Sequence, residues 1–249
     1  MKAVNYDMLM EIYYNKIDKL LHRVRETQSK KIKMAAEVIV DSILNGGAVH
    51  VFDTGHIINS ELIYRAGGLL LLKPLKYVFN VENPVRMRDN IVPIKYKEGM
   101  ADFILDASSV AKGDVLIMGS VSGKSTNVID LALSAKKRGV TLIALTSVDY
   151  SSSIISDHSS GKRLYELGDI VLDNCAPIGD AMIDVHNIYT KICPASGISA
   201  TYIMWALTAE IIENLTVIGK IPSVLKSVNL PEGKEYNDKI QENYQKNGY

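Results

Sequence analysis

The sequence lacks several features that would place it in a class at once. It has 249 residues, but no run of 18 apolar ones, which excludes a conventional membrane-spanning helix. The first residues, MKAVNYDMLMEIYY, lack the apolar segment of a secretory signal, so we expect a cytoplasmic protein. Charge of neither sign predominates, because 28 Lys and Arg are balanced by 28 Asp and Glu. We therefore expect neither nucleic acid nor a membrane as a partner.

Cysteine is scarce as well. The sequence has two, Cys175 and Cys193, which form no C-x-x-C motif, so we expect reduced, packed thiols rather than a disulfide framework. Asp184 and His186 have a spacing that could suit a metal, but no further ligands accompany them. We expect no metal and no other cofactor.

Short apolar segments alternate with helical ones along the rest of the chain. This alternation predicts an α/β fold with a five-stranded parallel sheet, covered by helices on both faces. The predicted strands are AVHVF (48–52), LKYVFNV (75–81), DVLIMGS (114–120), TLIALTS (141–147) and DIVLDN (169–174).

Helical periodicity flanks this region. Apolar residues recur at helical spacing in residues 8–24 and 32–44, which predicts two N-terminal helices, and a buried last helix is expected over about residues 197–214. We divide the chain into N-terminal helices (1–45), one α/β domain (46–215) and a charged C-terminal tail (216–249). The apolar faces of the first helices predict a homodimer or higher homo-oligomer.

The segment GSVSGKST, residues 119–126, can be interpreted in two ways. An ATP-binding P-loop requires G-x-x-x-x-G-K-[ST], but here only three residues separate Gly119 from Gly123, and the first glycine position holds Met118. Alternatively, the segment contains three serines between the end of a strand and a helix that begins at Thr126. These are Ser120, Ser122 and Ser125. Free N–H groups, hydroxyls and the helix dipole favour a bound phosphate there. An ordinary serine N-cap would need only one of these hydroxyls.

SVSGKST matches the phosphosugar-binding signature S-x-S-G-x-S/T, and the chain therefore resembles the sugar isomerase (SIS) domain family. Three further segments are similar to those of a bacterial branch of that family whose substrate is unassigned. They are GHIINSELIYRAGGL, HSSGKRLYELGDIVLDN and PIGDA. The resemblance implies a three-layer α/β/α sandwich of the flavodoxin type, with a phosphorylated sugar bound by Ser120, Ser122, Ser125 and Thr126.

Two departures from the family pattern restrict what the resemblance implies. The turn after the first strand reads Asp53-Thr54-Gly55-His56-Ile57, where the family usually has G-x-G-x-S. The zinc-binding His-x-x-x-Glu pair of phosphoheptose isomerases aligns with Ile63 and Gly67, and the last helix has no histidine. A zinc isomerase of that kind does not fit.

Candidate catalytic residues follow the first and fourth strands. His56, at the start of a helix, could act as base or donor, although it could equally be a helix cap. Glu61 is the nearest carboxylate, but a surface ion pair with Arg65 explains both residues without a function. His158 and Lys162 lie on a polar loop that could close over a substrate.

Five further residues are candidate contacts for the sugar, because the crevice of such a sheet lies beyond the carboxyl ends of its strands. These are Gly55, Thr146, Ser147, Ser159 and Asp180. The sequence thus favours a metal-independent sugar-phosphate isomerase that uses acid-base catalysis. A non-catalytic sugar-phosphate sensor and a phosphosugar lyase or etherase remain as alternatives.

Overall fold

The computed structural model describes residues 6–55, 58–79, 86 and 96–249. The strands are β1 (Val49–Asp53), β2 (Leu72–Pro74), β3 (Val115–Gly119), β4 (Thr141–Thr146), β5 (Ile170–Asp173), β6 (Ala181–Ile183) and β7 (Ile192–Pro194). The helices are α1 (Tyr6–Leu44), α2 (Ile58–Leu62), α3 (Met100–Asp106), α4 (Thr126–Lys137), α5 (Val148–Ser152), α6 (Leu164–Leu167), α7 (Ser196–Val217) and α8 (Gly233–Asn247).

Five strands form one parallel sheet in the order β2-β1-β3-β4-β5. The predicted α/β class and five-stranded parallel sheet are confirmed. The chain moves outward from β1 to β2 on one side and then crosses to β3 on the other. Such a reversal of strand order opens a crevice at the carboxyl ends of the two strands, in this case β1 and β3.

Alternating side chains of the strands pack into two separate apolar layers. Val115 and Ile117 of β3 belong to the layer under α1, α2 and α7. Leu116 and Met118 of the same strand belong to the layer under α3, α4 and α6. Because side chains of a strand alternate between its faces, this division produces the predicted three-layer sandwich.

The N-terminal region is a single helix of 39 residues where two were predicted. The polar interval that suggested a break consists mainly of residues that favour helix, and Gln28 continues the buried stripe between Val24 and Ile32. The Gln28 side-chain oxygen accepts a hydrogen bond from the Asp173 backbone N–H (3.0 Å). A polar side chain at this position therefore supplies an acceptor for the last backbone N–H of β5.

α1 is also part of the sheet domain. From Leu20 onward its buried side chains share one apolar layer with the sheet and with α7. The C-terminal region likewise forms α8, where Tyr244 packs against the same layer and the Asn243 side chain donates to Ser223 Oγ (3.0 Å). Neither terminal region is separated from the core in the described structure.

Two details of the sheet were not predicted. β2 begins at Leu72, within a run of buried leucines, and ends at Pro74, ahead of the predicted strand 75–81. It is an edge strand, where a missing backbone N–H is tolerated. β6 and β7 form a small antiparallel ribbon before α7. Within the described residues, no helix combines the length and apolar character needed to cross a bilayer.

Candidate functional site

A cavity of about 330 Å³ lies at the carboxyl ends of β1 and β3, where the strand order reverses. We call it the serine cavity. Its lining includes Asp53, Ser120, Ser122, Ser125, Asn174 and Asp180.

The hydroxyls of the three serines are available to a ligand. Ser120, Ser122 and Ser125 all line the cavity, and no side-chain hydrogen bond joins any of them to another described residue. Ser125 occupies the N-cap position of α4, yet its side chain makes no capping bond. Because an ordinary N-cap serine accepts a backbone N–H of the first turn, the helix cap alone does not explain these residues.

Backbone amides converge on the same place. Among the described residues, none accepts a hydrogen bond from the backbone N–H groups of residues 121–127, whereas Ser120 donates to Leu145 and Val128 to Ser125. The last of these amides belong to the first turn of α4, a helix of 12 residues. Unpaired amides at the positive end of a helix dipole form a site for an anion.

Gly123 allows the loop to turn this tightly. Its φ is +56°, a left-handed conformation that favours glycine. A Cβ atom here would also lie 2.9 Å from Leu164 Cβ, because the Gly123 carbonyl accepts a hydrogen bond from the Leu164 N–H (2.8 Å). The loop is therefore fixed against the start of α6.

Two carboxylates line the cavity, and both hold backbone N–H groups. Asp53 accepts from Gly55 (2.9 Å) and Ile58 (3.1 Å), which fixes the turn after β1. Asp180 accepts from the Ser196 backbone N–H (2.8 Å) and hydroxyl (2.9 Å) at the start of α7. These bonds fix the positions of both carboxylates in the cavity wall.

Neither lysine nor arginine is among the described residues that line the cavity. Lys124, which a P-loop would direct at a phosphate, instead pairs with Asp157 (2.9 Å). The P-loop reading therefore fails on geometry as well as on spacing. Among the described lining residues, only amides and hydroxyls could donate hydrogen bonds to an anion in this cavity.

Comparisons with known proteins identify the family of this chain. The model of a family described as "SIS domain" matches residues 12–147. The chain belongs to the SIS domain family. A UPF0309 protein of Oceanobacillus iheyensis is 36% identical over 240 residues, which cover 94% of this chain and 96% of the relative. One of Caldanaerobacter subterraneus is 35% identical over 246 residues, covering 96% and 98%.

Solved structures with the same fold include two phosphoheptose isomerases. That of Francisella tularensis has a TM-score of 0.52 at 17% identity, over 84% of this chain and all of the other. That of Neisseria gonorrhoeae has a TM-score of 0.51 at 16% identity, over 83% and 98%. At these identities the likeness concerns the fold alone.

The sequence of this SIS domain does not fit the zinc site considered above. The aligned positions hold Ile63 and Gly67, which offer no side-chain ligand, and α7 contains no histidine. Among the described residues, no three His, Cys, Asp or Glu side chains group together as a metal site would require.

The cavity also contains polar residues that sequence reasoning did not select. Asn174 is 1% exposed, and its side-chain oxygen accepts a bond from Ala176 N–H (3.0 Å). Its amide nitrogen has no acceptor among the described residues, and Asn174 lines the cavity beside Tyr150. Both follow a strand of the sheet, so their place beyond the strand ends was the available signal.

Three predicted hydroxyls point elsewhere. Thr146 is fully buried and donates to the Val121 carbonyl (2.9 Å). Ser147, also fully buried, donates to the Ala176 carbonyl (2.7 Å) and caps α5. Thr126 donates to the Asp157 carbonyl (3.1 Å). All three support the walls of the cavity, and none of them lines it.

The predicted lid loop forms a separate cluster against α4. His158 is buried, with Nε2 at 3.7 Å from Glu98 Oε2 and 4.0 Å from Asp130 Oδ1. Ser159 donates to Glu98 through both its N–H and its hydroxyl. These two bonds lower the pKa of Glu98, the side-chain bond most strongly. None of these residues lines the serine cavity.

Asp130 anchors this cluster. Its carboxylate accepts from the Tyr96 hydroxyl (2.8 Å) and from the Gly99 and Ala101 N–H groups (3.0 and 2.9 Å). Burial, and then the bond to Asp130, raises the pKa of Tyr96, so Tyr96 stays protonated. The network ties the segment before α3 to α4.

The remaining candidates have mixed placements. Glu61 is partly exposed on α2, 3.4 Å from Arg65, and lines a larger apolar groove that adjoins the serine cavity at Gly55 and Asp180. Lys162 is exposed on the loop that contains the histidine cluster. His56 lies outside the described residues.

Proposed function

We propose that this chain binds a phosphorylated sugar in the serine cavity, with the phosphate between the loop after β3 and the first turn of α4. The observation that carries the proposal is the convergence of three hydroxyls and a run of backbone amides on one cavity, none with a described protein partner. Such donors complement the several acceptor oxygens of a phosphate monoester.

The charges of the lining restrict how a sugar phosphate could lie in the cavity, because a carboxylate repels a phosphate. Asp53 and Asp180 line the cavity, and the described lining has no cation. The Asp53 carboxylate accepts backbone N–H groups of the turn after β1, and that of Asp180 accepts the backbone N–H at the start of α7. We assign these two residues to the sugar end of the ligand, where carboxylates can accept bonds from hydroxyls.

We further propose metal-independent aldose-ketose isomerisation. In this reaction a base removes the proton on the carbon beside the carbonyl, and an acid-base group moves a proton between the two neighbouring oxygens. The phosphate site would position the carbon chain. His56 and Glu61 follow β1 in the sequence and are the candidates for these roles, whereas His158 and Lys162 lie on the loop of a separate cluster.

One observation favours binding without catalysis as the second candidate. Both described carboxylates of the cavity are occupied as acceptors for backbone N–H groups, and Glu61 is paired with Arg65. A sensor needs no free base. A lyase or etherase would require the same proton abstraction as the isomerase and is tested with it.

The test is a thermal-shift panel of hexose, heptose and amino-sugar phosphates, followed by turnover and deuterium exchange at C1 and C2 of each hit. Binding with exchange supports the isomerase, and elimination of a substituent would identify a lyase. Binding without exchange or turnover supports the sensor. If no sugar phosphate binds, the proposal is wrong.

A homodimer remains part of the proposal. The apolar groove, about 1010 Å³, runs between α1 and the start of α7 and includes Tyr13 and Ile198. Tyr14 and Tyr202 are exposed on the same two helices. Sedimentation equilibrium of the full chain, compared with an Ile198→Glu variant, tests whether a second copy covers it. A monomer at all concentrations contradicts the dimer.

A further inference from the structure

A second cavity, of about 270 Å³, lies between α1 and the loop that follows β5. We call it the basic cavity. Lys16, Lys19 and Arg23 line it from α1, and Lys191, which precedes β7, also lines it. No acidic residue is among its described lining residues, in contrast to the serine cavity.

Only part of this positive charge is neutralised. Arg23 pairs with Asp149 (3.0 Å), and Lys191 pairs with Asp184 (3.5 Å). Among the described residues, no carboxylate lies within ion-pair distance of Lys16 or Lys19, both of which are exposed. The ammonium groups of Lys16 and Lys19 therefore repel each other, and an anion between them relieves that repulsion.

The two cavities share a wall. In the loop after β5, Asn174, Gly179 and Asp180 line the serine cavity. Their neighbours Cys175 and Pro177 line the basic cavity. The backbone of Cys175 is left-handed (φ +56°), and Asp173 fixes it by accepting its N–H (2.9 Å). This turn directs successive residues to opposite sides of the loop.

We propose that the basic cavity binds a phosphate group, either inorganic phosphate or the phosphate of a small metabolite, as a second site separate from the serine cavity. The cavity is large enough for a tetrahedral oxyanion or a small phosphoester, but not for a much larger ligand. The ligand groups are the ammonium groups of Lys16 and Lys19, with Arg23 and Lys191 at the sides. Lysine binds phosphate as a point charge, so the site selects for charge more than for shape.

The binding test uses the full chain with Ser120, Ser122 and Ser125 all changed to Ala, so that the proposed first site is disabled. Inorganic phosphate and glucose 6-phosphate are titrated separately at low ionic strength by calorimetry. The substitutions Lys16→Gln and Lys19→Gln are then introduced together into this serine variant, and the titrations are repeated. The matched control is Lys30→Gln/Lys31→Gln, which removes the same charge from exposed positions of α1 outside the cavity.

We expect one phosphate site in the serine variant. Its affinity should fall about tenfold in the Lys16/Lys19 pair, change less than about twofold in the control pair, and weaken as salt is added. Equal affinities for the two probes identify free phosphate as a sufficient ligand, whereas tighter binding of glucose 6-phosphate identifies a phosphoester. Lack of saturation at millimolar phosphate, or equal losses in both lysine pairs, overturns the proposal.

The same titrations separate this proposal from that of the serine cavity. If only the serine cavity binds phosphate, the serine variant loses all binding and the lysine pair in the wild-type chain loses none. If only the basic cavity binds it, the serine variant behaves like wild type and the lysine pair weakens the single site about tenfold. With both sites present, wild type binds two phosphates, the serine variant keeps the one in the basic cavity, and the lysine pair in the wild-type chain weakens one of the two sites about tenfold.

Discussion

Two serines at helix N-caps give a sharp test of the phosphate site, because one of them caps its helix and the other does not. Ser147, at the N-cap of α5, accepts the Tyr150 N–H (3.1 Å) and donates to the Ala176 carbonyl (2.7 Å). Ser125, at the N-cap of α4, makes no capping bond and lines the serine cavity. The perturbation is Ser→Ala at each position.

The magnitudes follow from these contacts. Ser147→Ala leaves a buried carbonyl and a helix N–H without partners, which should lower the free energy of unfolding by about 1–3 kcal/mol. Ser125→Ala removes no protein hydrogen bond and should change it by less than about 0.5 kcal/mol. At this chain length, the corresponding shifts in Tm are several degrees for Ser147→Ala and at most about 2 °C for Ser125→Ala.

Ligand affinity should show the opposite order. A hydrogen bond to a charged group contributes about 1.5–3 kcal/mol, so Ser125→Ala should weaken binding of a sugar phosphate about tenfold to a hundredfold. Ser147→Ala should have a small effect, because its hydroxyl is fully buried away from the cavity. Denaturant unfolding and titration of a hit from the sugar-phosphate panel measure the two quantities. The reasoning is refuted if Ser125→Ala destabilises the fold as much as Ser147→Ala and leaves affinity unchanged.

Three further substitutions test particular parts of the account. Lys124→Ala should leave sugar-phosphate affinity within about threefold and stability within about 1 kcal/mol, because its ammonium pairs with Asp157 on the surface; a loss of binding as large as that from Ser125→Ala would restore the P-loop reading. Gly123→Ala should lower the free energy of unfolding by at least about 1 kcal/mol in a denaturant titration and weaken binding, since it combines a positive φ with a 2.9 Å contact; unchanged stability contradicts this view of the turn. Asp114→Ala should cost about 3–5 kcal/mol in the same assay, because this buried carboxylate accepts from His50 (2.9 Å) and from two backbone N–H groups; a loss below about 1 kcal/mol shows that the network is not structural.

Local patterns predicted the sheet and the serine cavity because both depend on short stretches of sequence. Four of the five predicted segments coincide with strands of the sheet and the other directly follows β2, and the hydroxyls around Gly123 marked the loop that lines the serine cavity. The rule that ligands bind beyond the carboxyl ends of strands selected the strand ends as candidate positions, and the serine cavity lies at the ends of β1 and β3.

Features that depend on tertiary partners could not be predicted in the same way. Gln28 continues the buried stripe of α1 only because the end of β5 supplies an N–H for it. Thr146 and Ser147 are at the expected strand end, but the neighbouring loops take up their hydroxyls. His158 lies near Glu98, which belongs to a segment remote in sequence, so the sequence of its own loop does not predict this contact. In each case the partner is remote in sequence.

The most direct test of the central claim is a crystal structure of the full chain with a sugar phosphate selected by the binding panel. We expect the phosphate oxygens within hydrogen-bond distance of the hydroxyls of Ser120, Ser122 and Ser125 and of backbone N–H groups in residues 121–127. A complex in which the phosphate lies elsewhere, while these hydroxyls and amides contact only solvent, would contradict the account.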